Sequence, residues 1–329
     1  MAFKDISRVS ILVALLLAAI FPQPAFFLKD YLIFILVFML SISIRNLGAE
    51  HLDIKKKEFV AFLVFINTVV LAALYIILSN LMIANELYRN ALIIYGLMPP
   101  AIGIVTLGYL YHVNMKVDLY AEFIGYILSL LVVPLGTYFF MRTVVAPVDI
   151  LEVIITLLAV PMILSRLIRR ISIPEKILKS TIAVCFGMVI YIIVGFNLEM
   201  VLQSLGDILN IILLLVILRI VLLVAIYFIA RRYLSQSDSI LVTLFGTMKN
   251  GAAATAISVM LLGVESTVPL ALEVIFFTIG LIIMDWLFTG FRKRDHEEEK
   301  RHTTTQKKDE GTETTKKKKS TTKRSKSKK

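Results

Sequence analysis

Apolar stretches close to 20 residues long follow one another along this chain almost to residue 290. That succession constrains the fold more than any motif does. A stretch of that length crosses the hydrocarbon core of a bilayer as a helix, and lipid admits only helices or closed barrels, because every backbone N–H and C=O must find its partner within protein. A soluble chain of 329 residues keeps a polar shell around its core. One that is 58% hydrophobic, with a mean hydropathy of +0.84, cannot. The apolar spans read at 9–28, 30–44, 58–79, 89–111, 118–141, 148–165, 178–196, 207–230, 239–262 and 266–289, the second and sixth being short. They predict an all-α membrane protein with ten transmembrane helices.

The first span follows a short basic start and has the look of a signal peptide. No small-x-small cleavage pattern precedes the next apolar segment at Tyr31, so it reads as the first helix. The polar connections fix the orientation. With the amino terminus inside, the cytoplasmic segments before the tail carry Lys4, Arg8, Arg45, Lys55, Lys56, Lys57, Lys116, Arg166, Arg169, Arg170, Lys176, Lys179, Arg231 and Arg232. The opposite side carries only Lys29, Arg89 and Arg142. This bias places both termini in the cytoplasm of a multi-pass plasma-membrane protein.

The net charge of +11 is mostly a property of the tail: residues 292–329 hold sixteen Lys/Arg and seven Asp/Glu, a net +9. That segment is rich in Lys, Thr and Ser and reads as disordered, suited to anionic lipid headgroups. No aromatic residues are interleaved with its lysines, so nucleic acid is not an expected partner. The single cysteine, Cys185, lies in an apolar run and reads as a buried structural thiol. The sequence holds no metal-ligand cluster, no phosphate-cradling glycine loop and no nucleophile with a histidine partner, so neither an enzyme nor a cofactor is expected.

Ten spans divide into five plus five, giving a first repeat over 1–145, a second, inverted repeat over 146–291 and the tail from 292. Secondary transporters are commonly built from two such halves, with interrupted helices meeting at the midplane. A matching interruption is present in each half. Helix 4 contains GLMPPAIGIVT from Gly96, and helix 9 contains GTMKNGAAATA from Gly246, 150 residues later. Both begin Gly-x-Met. Pro99 and Pro100 cannot donate hydrogen bonds, which leaves the carbonyls of Tyr95 and Gly96 without helical partners. Asn250-Gly251 leaves helical geometry readily. Open backbone at membrane depth is tolerated only inside protein or beside a cavity, so two breaks at equivalent depth point to one shared site. The small residues of GAAATA allow close helix approach, and each break is followed by a glutamate, Glu122 and Glu273.

These residues resemble the bile acid:sodium symporter family, within the superfamily that includes arsenite exporters and, more distantly, auxin efflux carriers. Family members carry Glu-x-Gly-Met-Gln-Asn and then small residues in helix 9, where this chain has Phe245-Gly246-Thr247-Met248-Lys249-Asn250 and GAAATA. In helix 4 the family often has Pro-Gly-Gly-x-x-Ser-Asn, and this chain has Pro99-Pro100-Ala101-Ile102-Gly103-Ile104-Val105. The stretch VDLYAEFIGYILSLLVVPL resembles the family's fifth helix, with its late proline at Pro134. The resemblance covers 1–290. It implies a panel domain and a core domain, helices 4 and 9 crossing in the core, and transport of organic anions by alternating access. The departures fall on the sodium ligands. The family's glutamate is replaced by Phe245, its glutamine by Lys249, and its serine and asparagine by Ile104 and Val105. Sodium coupling of the family's kind is therefore not expected.

A lysine near the bilayer centre costs roughly 2.5–3.5 kcal/mol on insertion scales, and intramembrane ionisable residues are functional by default. At 1.5 Å per residue, Lys249 sits roughly 15 Å and Arg219 roughly 18 Å into their helices, while Glu273 lies about 10 Å from the outer face. Glu122, Glu152 and Asp285 read nearer to helix ends. Three roles are open for Lys249: a permanent stand-in for sodium against the open carbonyls, a proton carrier, or, with Arg219, a receptor for an anionic group of the substrate. Arg219 either faces the substrate or pairs with Glu273. The candidate substrate- and ion-binding set is Met98, Pro99, Pro100, Thr106, Arg219, Thr247, Met248, Lys249, Asn250, Thr255 and Glu273. His112, Asn114 and Trp286 read as interfacial residues. The expected function is secondary transport of a small organic anion. An auxin-carrier-like or proton-coupled antiporter is an alternative, and a non-transporting membrane sensor or anchor displaying the tail is a reading of another class.

Overall fold

The structure is a computed structural model, and it describes residues 3–43, 45, 56–101, 103–141, 156, 160–203 and 205–288. By its contacts the chain falls into two units, Met1–Leu281 and Ile282–Lys329. The first unit holds everything that concerns the site. Of the second, 282–288 are described, as helix. Among the described residues there is no β-strand, and the elements are helical, as the hydropathy predicts.

In chain order they are α1 (Phe3–Ile20), α2 (Gln23–Leu28), α3 (Leu32–Ser43), α4 (Lys57–Met82), α5 (Glu86–Leu97), α6 (Gly103–Leu110), α7 (Met115–Phe140), α8 (Val160–Arg169), α9 (Glu175–Gln203), α10 (Gly206–Tyr233), α11 (Gln236–Thr247), α12 (Gly251–Leu262) and α13 (Val264–Phe288). Among the described residues, five helical stretches are long and apolar enough to cross a membrane: α4, α7, Lys176–Phe196 within α9, α10 and α13. A sixth arises if Leu12–Ile20 and Gln23–Met39, bent by 107° at the break between them, count as one span. The shorter pairs α5–α6 and α11–α12 cover the expected spans 89–111 and 239–262, each interrupted at the place the sequence marks. The expected junction of the two halves at 145/146, most of the sixth apolar span and the basic tail lie outside the described residues.

The first two spans divide at a different place from the expected one at Lys29-Asp30. The helix breaks at Phe21-Pro22 instead, and Lys29–Tyr31 continues as one 3-10 turn. The reason is local. Pro22 and Pro24 sit at the start of α2, where a missing N–H costs nothing and the proline φ suits a first helical turn.

Within the first unit α1, α2 and α3 pack against α9, and α3 also meets α8. The remaining helices interlock around the two breaks: α5 packs on α12, α6 on α11, α7 on α5 and α6, and the second halves of α4 and α10 lie along α5 and α11. Polar contacts tie the helix ends. Lys56 Nζ bonds both Asp238 oxygens at 2.9 and 2.7 Å, and Asn114 N–H donates to Ser237 Oγ at 3.2 Å. The starts of α4, α7 and α11 therefore share one end of the bundle. At the other end Asn85 Nδ2 donates to Asp207 Oδ2 at 3.5 Å, joining the start of α5 to the start of α10.

Several features recur at the 150-residue spacing of the Gly-x-Met pair. Helix α5 runs from 86 to 97 and α11 from 236 to 247. A π-helical turn interrupts α4 at Ile66–Leu71, and another interrupts α10 at Val216–Val221. Gly96 and Gly246 both mark close approach. A Cβ on Gly96 would lie 2.5 Å from Tyr75 Cβ, and one on Gly246 would lie 2.7 Å from Ile226 Cδ1.

Candidate functional site

Helix α5 starts at a side-chain cap, Asn85 Oδ1 accepting from the N–H groups of Leu87 and Tyr88, and it stops at Leu97 because Pro99 and Pro100 cannot extend the ladder. The carbonyl expected to be orphaned at Tyr95 is not. The last turn tightens, and Met98 N–H donates to Tyr95 O at 3.2 Å. Beyond this turn the carbonyls of Met98 and Pro99 are taken up by groups from the other break. Helix α11 stops at Thr247, and α12 restarts at Gly251 with Asn250 as its cap, Oδ1 accepting from Ala253 N–H at 3.0 Å. The two breaks touch. Pro100 and Lys249 form an isolated antiparallel bridge, and Asn250 N–H donates to the Pro99 carbonyl at 2.9 Å.

Nitrogen donors take up carbonyls that the breaks set free. Lys249 Nζ, on a side chain 2% exposed, donates to Met98 O at 2.8 Å. Asn67 Nδ2, from the π turn of α4, donates to Phe245 O at 2.7 Å and to Met248 O at 2.9 Å. Arg219, from the π turn of α10, donates to the Thr247 carbonyl, the Tyr95 hydroxyl and Glu273. Tyr95 O–H in turn donates to Glu273 Oε1 at 2.8 Å, and the guanidinium lies 5.5 Å from the Tyr95 ring and 5.6 Å from that of Phe277. Arg219 and Glu273 are both buried. A π turn widens a helix by one backbone position and re-aims its side chains, which is how two apolar spans each deliver one polar group to the crossing.

The electrostatics follow from four helix ends. The carbonyl termini of α5 and α11 are negative poles, and the nitrogen donors of Lys249 and Arg219 bond to them. The N-termini of α6 and α12 are positive poles, and each meets a carboxylate. Glu122 accepts Val105 N–H at 3.3 Å, and Glu273 Oε2 stands 3.3 Å from where a Cβ on Gly251 would be. A buried charge needs such partners, because desolvation otherwise outweighs any Coulomb gain.

The structure brings together Met98, Pro99, Pro100, Thr247, Met248, Lys249, Asn250, Arg219 and Glu273, all buried. Of the two alternatives for Arg219, this state shows the pair with Glu273. Thr247 contributes its carbonyl, since its hydroxyl bonds Thr243 O at 2.7 Å. Thr255 is buried, but its hydroxyl donates to Gly251 O of its own helix at 2.8 Å. The side chain of Thr106, like Glu152, lies outside the described residues. Phe245 is fully buried. Glu122, expected nearer a helix end, is instead fully buried against the first turn of α6. Asn114 caps α7, accepting from Lys116 and Val117 N–H, and His112 takes a left-handed φ of 55° in the turn before it. Cys185 is a buried free thiol, and Trp286 is 71% exposed.

Sequence reasoning missed Asn67, Tyr95 and Tyr126, whose hydroxyl pairs with Asn250 Nδ2 at 2.7 Å. Asn67 had a signal, being the lone amide in FLVFINTVVLAAL. The tyrosines had none, because tyrosine is common in apolar helices. The chain matches no protein-family model and no curated protein.

Proposed function

We propose that this protein is a secondary transporter that moves a small organic anion by alternating access, with the crossing of α5–α6 and α11–α12 as its centre. The reading includes ten spans in a five-plus-five inverted repeat, both termini in the cytoplasm, and kinship with the bile acid:sodium symporter family. The paired breaks, the two π turns and the repeated spacing of α5 and α11 support the repeat. The observation that carries the reading is Lys249 Nζ donating to the Met98 carbonyl, enclosed where two broken helices touch.

That arrangement favours the first of the three roles for Lys249. A sodium ion needs about five or six oxygens at short range, as hard cations do. Here the freed carbonyls of Met98, Phe245, Thr247 and Met248 already accept from nitrogen donors. A tethered ammonium supplies the charge that relatives of such architecture take from solution, so transport is uncoupled from sodium. Arg219 and Lys249 are both closed off in this state, and substrate access requires the crossing to open. The substrate's acidic group would then meet these two cations.

The test has two stages. A thermal-shift screen of the purified protein against organic anions, with and without sodium and across pH, identifies a substrate. Uptake of that anion into vesicles is then compared between wild type and Lys249→Gln. Loss of uptake is expected, and unchanged uptake and binding would place the site elsewhere.

A further inference from the structure

The four poles of the crossing are not equally matched. At the α12 N-terminus, Glu273 has Arg219 as its cation and Tyr95 as a hydrogen-bond donor. Along α6 stand two carboxylates and, among the described residues, no bonded cation: Glu122 at its first turn and Asp118 beside Gly108 near its other end. Asp118 and Glu122 lie one helical turn apart on α7, on the same face, and both are 0% exposed. Glu122 Oε1 has the Val105 N–H, but Glu122 Oε2 and both oxygens of Asp118 have no hydrogen-bond partner. Asp118 is pressed against α6, where a Cβ on Gly108 would collide with its Oδ2.

Other charges do not supply the missing balance. On the elements packed against α7, Lys57, Glu58 and Glu86 are exposed, and Arg89 lies near the opposite end from Asp118. Tyr95 and Arg219 belong to the Glu273 cluster, and the Tyr75 ring packs tilted against Tyr95. Lys249 Nζ is bonded to Met98 O, and Tyr126 to Asn250. The chain's only other acidic group on α11, Asp238, pairs with Lys56. One helix pole stabilises one negative charge, and two carboxylates a turn apart in a dry interior do not both ionise. An acid O–H makes one of the three unpartnered oxygens a donor and offers a second its hydrogen bond.

We propose that Asp118 and Glu122 form a proton-binding pair that holds one proton in the closed crossing and releases it as the crossing opens, coupling transport to protons. This rests on reading the crossing as a transport centre. The step moves one proton only: an O–H bond forms on a carboxylate oxygen facing one compartment and breaks toward water of the other. Asp118 is the fourth residue of α7, and Glu122 lies one turn deeper, so the pair runs from the helix start inward to the α6 terminus. The pair, rather than Lys249, is then the titrating element of the protein.

The experiment is infrared difference spectroscopy of the full-length protein in lipid vesicles, titrated from about pH 5 to about pH 9, a range wide enough for buried carboxyl groups. The carbonyl stretch of a protonated carboxylic acid is expected, rising and falling reversibly with pH. It should be lost in Asp118→Asn/Glu122→Gln and kept in Glu273→Gln. Thermal unfolding checks that each variant is folded, and the wild-type titration stands without them. No acid band, a band constant across the range, a band that survives the double variant, or removal of the band by sodium at fixed pH would each overturn the proposal. The readout needs no substrate. A titrating band without anion uptake leaves the proton site and removes the transport reading; uptake without a titrating band does the reverse.

Discussion

Side-chain nitrogens donate to the carbonyls of Met98, Phe245, Thr247 and Met248, and the donors make predictions. Asn67 holds two carbonyls with one amide nitrogen. Asn67→Ala leaves both buried without a donor, at about 1–3 kcal/mol per group, and should lower the thermal midpoint of the purified protein clearly. An unchanged midpoint would mean that the carbonyls find other donors. Arg219→Leu strands the buried Glu273 carboxylate and should cost about 3–5 kcal/mol, whereas Arg219→Leu with Glu273→Leu should recover much of that, since apolar pairs replace buried ion pairs at little cost. A double-mutant cycle on unfolding reads the difference, and simple additivity would contradict the pairing. Lys249, Arg219 and Glu273 were legible in the sequence because charge inside an apolar span is rare. Asp118 went unnoticed and Glu122 was read only as nearer a helix end, because both lie near the start of an apolar run and distance along a helix does not report which face is buried. The tightened turn that occupies the Tyr95 carbonyl was not legible, because an i→i−3 turn depends on local backbone relaxation.

At the scale of elements, the breaks of helices 4 and 9 were legible from proline and Asn-Gly chemistry, and the structure keeps both. The π turns were not, since Ile66–Leu71 and Val216–Val221 carry no turn-forming pair. The early break at Pro22 was readable in hindsight from Pro22 and Pro24, but continuous hydropathy across 9–28 masks it. The paired glycines distinguish close packing from simple flexibility. Gly96→Ala brings a methyl against Tyr75 Cβ, an atom fixed to the backbone of α4, while Gly246→Ala meets the terminal methyl of Ile226, which can rotate away. Overpacking of this kind costs typically about 1–3 kcal/mol. Gly96→Ala should fall at the upper end and Gly246→Ala at the lower, measured by thermal unfolding in one detergent. The reverse order would contradict the packing of α5 on α4.

At the scale of the molecule, the orientation inferred from basic connections is directly checkable, because Cys185 is the chain's only cysteine. In a Cys185→Ser background, cysteines placed at Lys4 and Lys300 should react with an impermeant thiol reagent only from the cytoplasmic side. Labelling of either from outside would break the topology. Removing 292–329 should leave anion uptake intact if the crossing is the working centre, and abolish function if the chain serves to display its tail. The central claim is that a tethered ammonium holds the place of a metal cation between two broken helices. It is tested most directly by the thermal stability of the purified wild-type protein in sodium chloride against choline chloride at equal ionic strength, with Lys249→Gln measured alongside. The account predicts no sodium-specific stabilisation of the wild type, with any such stabilisation emerging only in the variant; sodium-specific stabilisation of the wild type would contradict it.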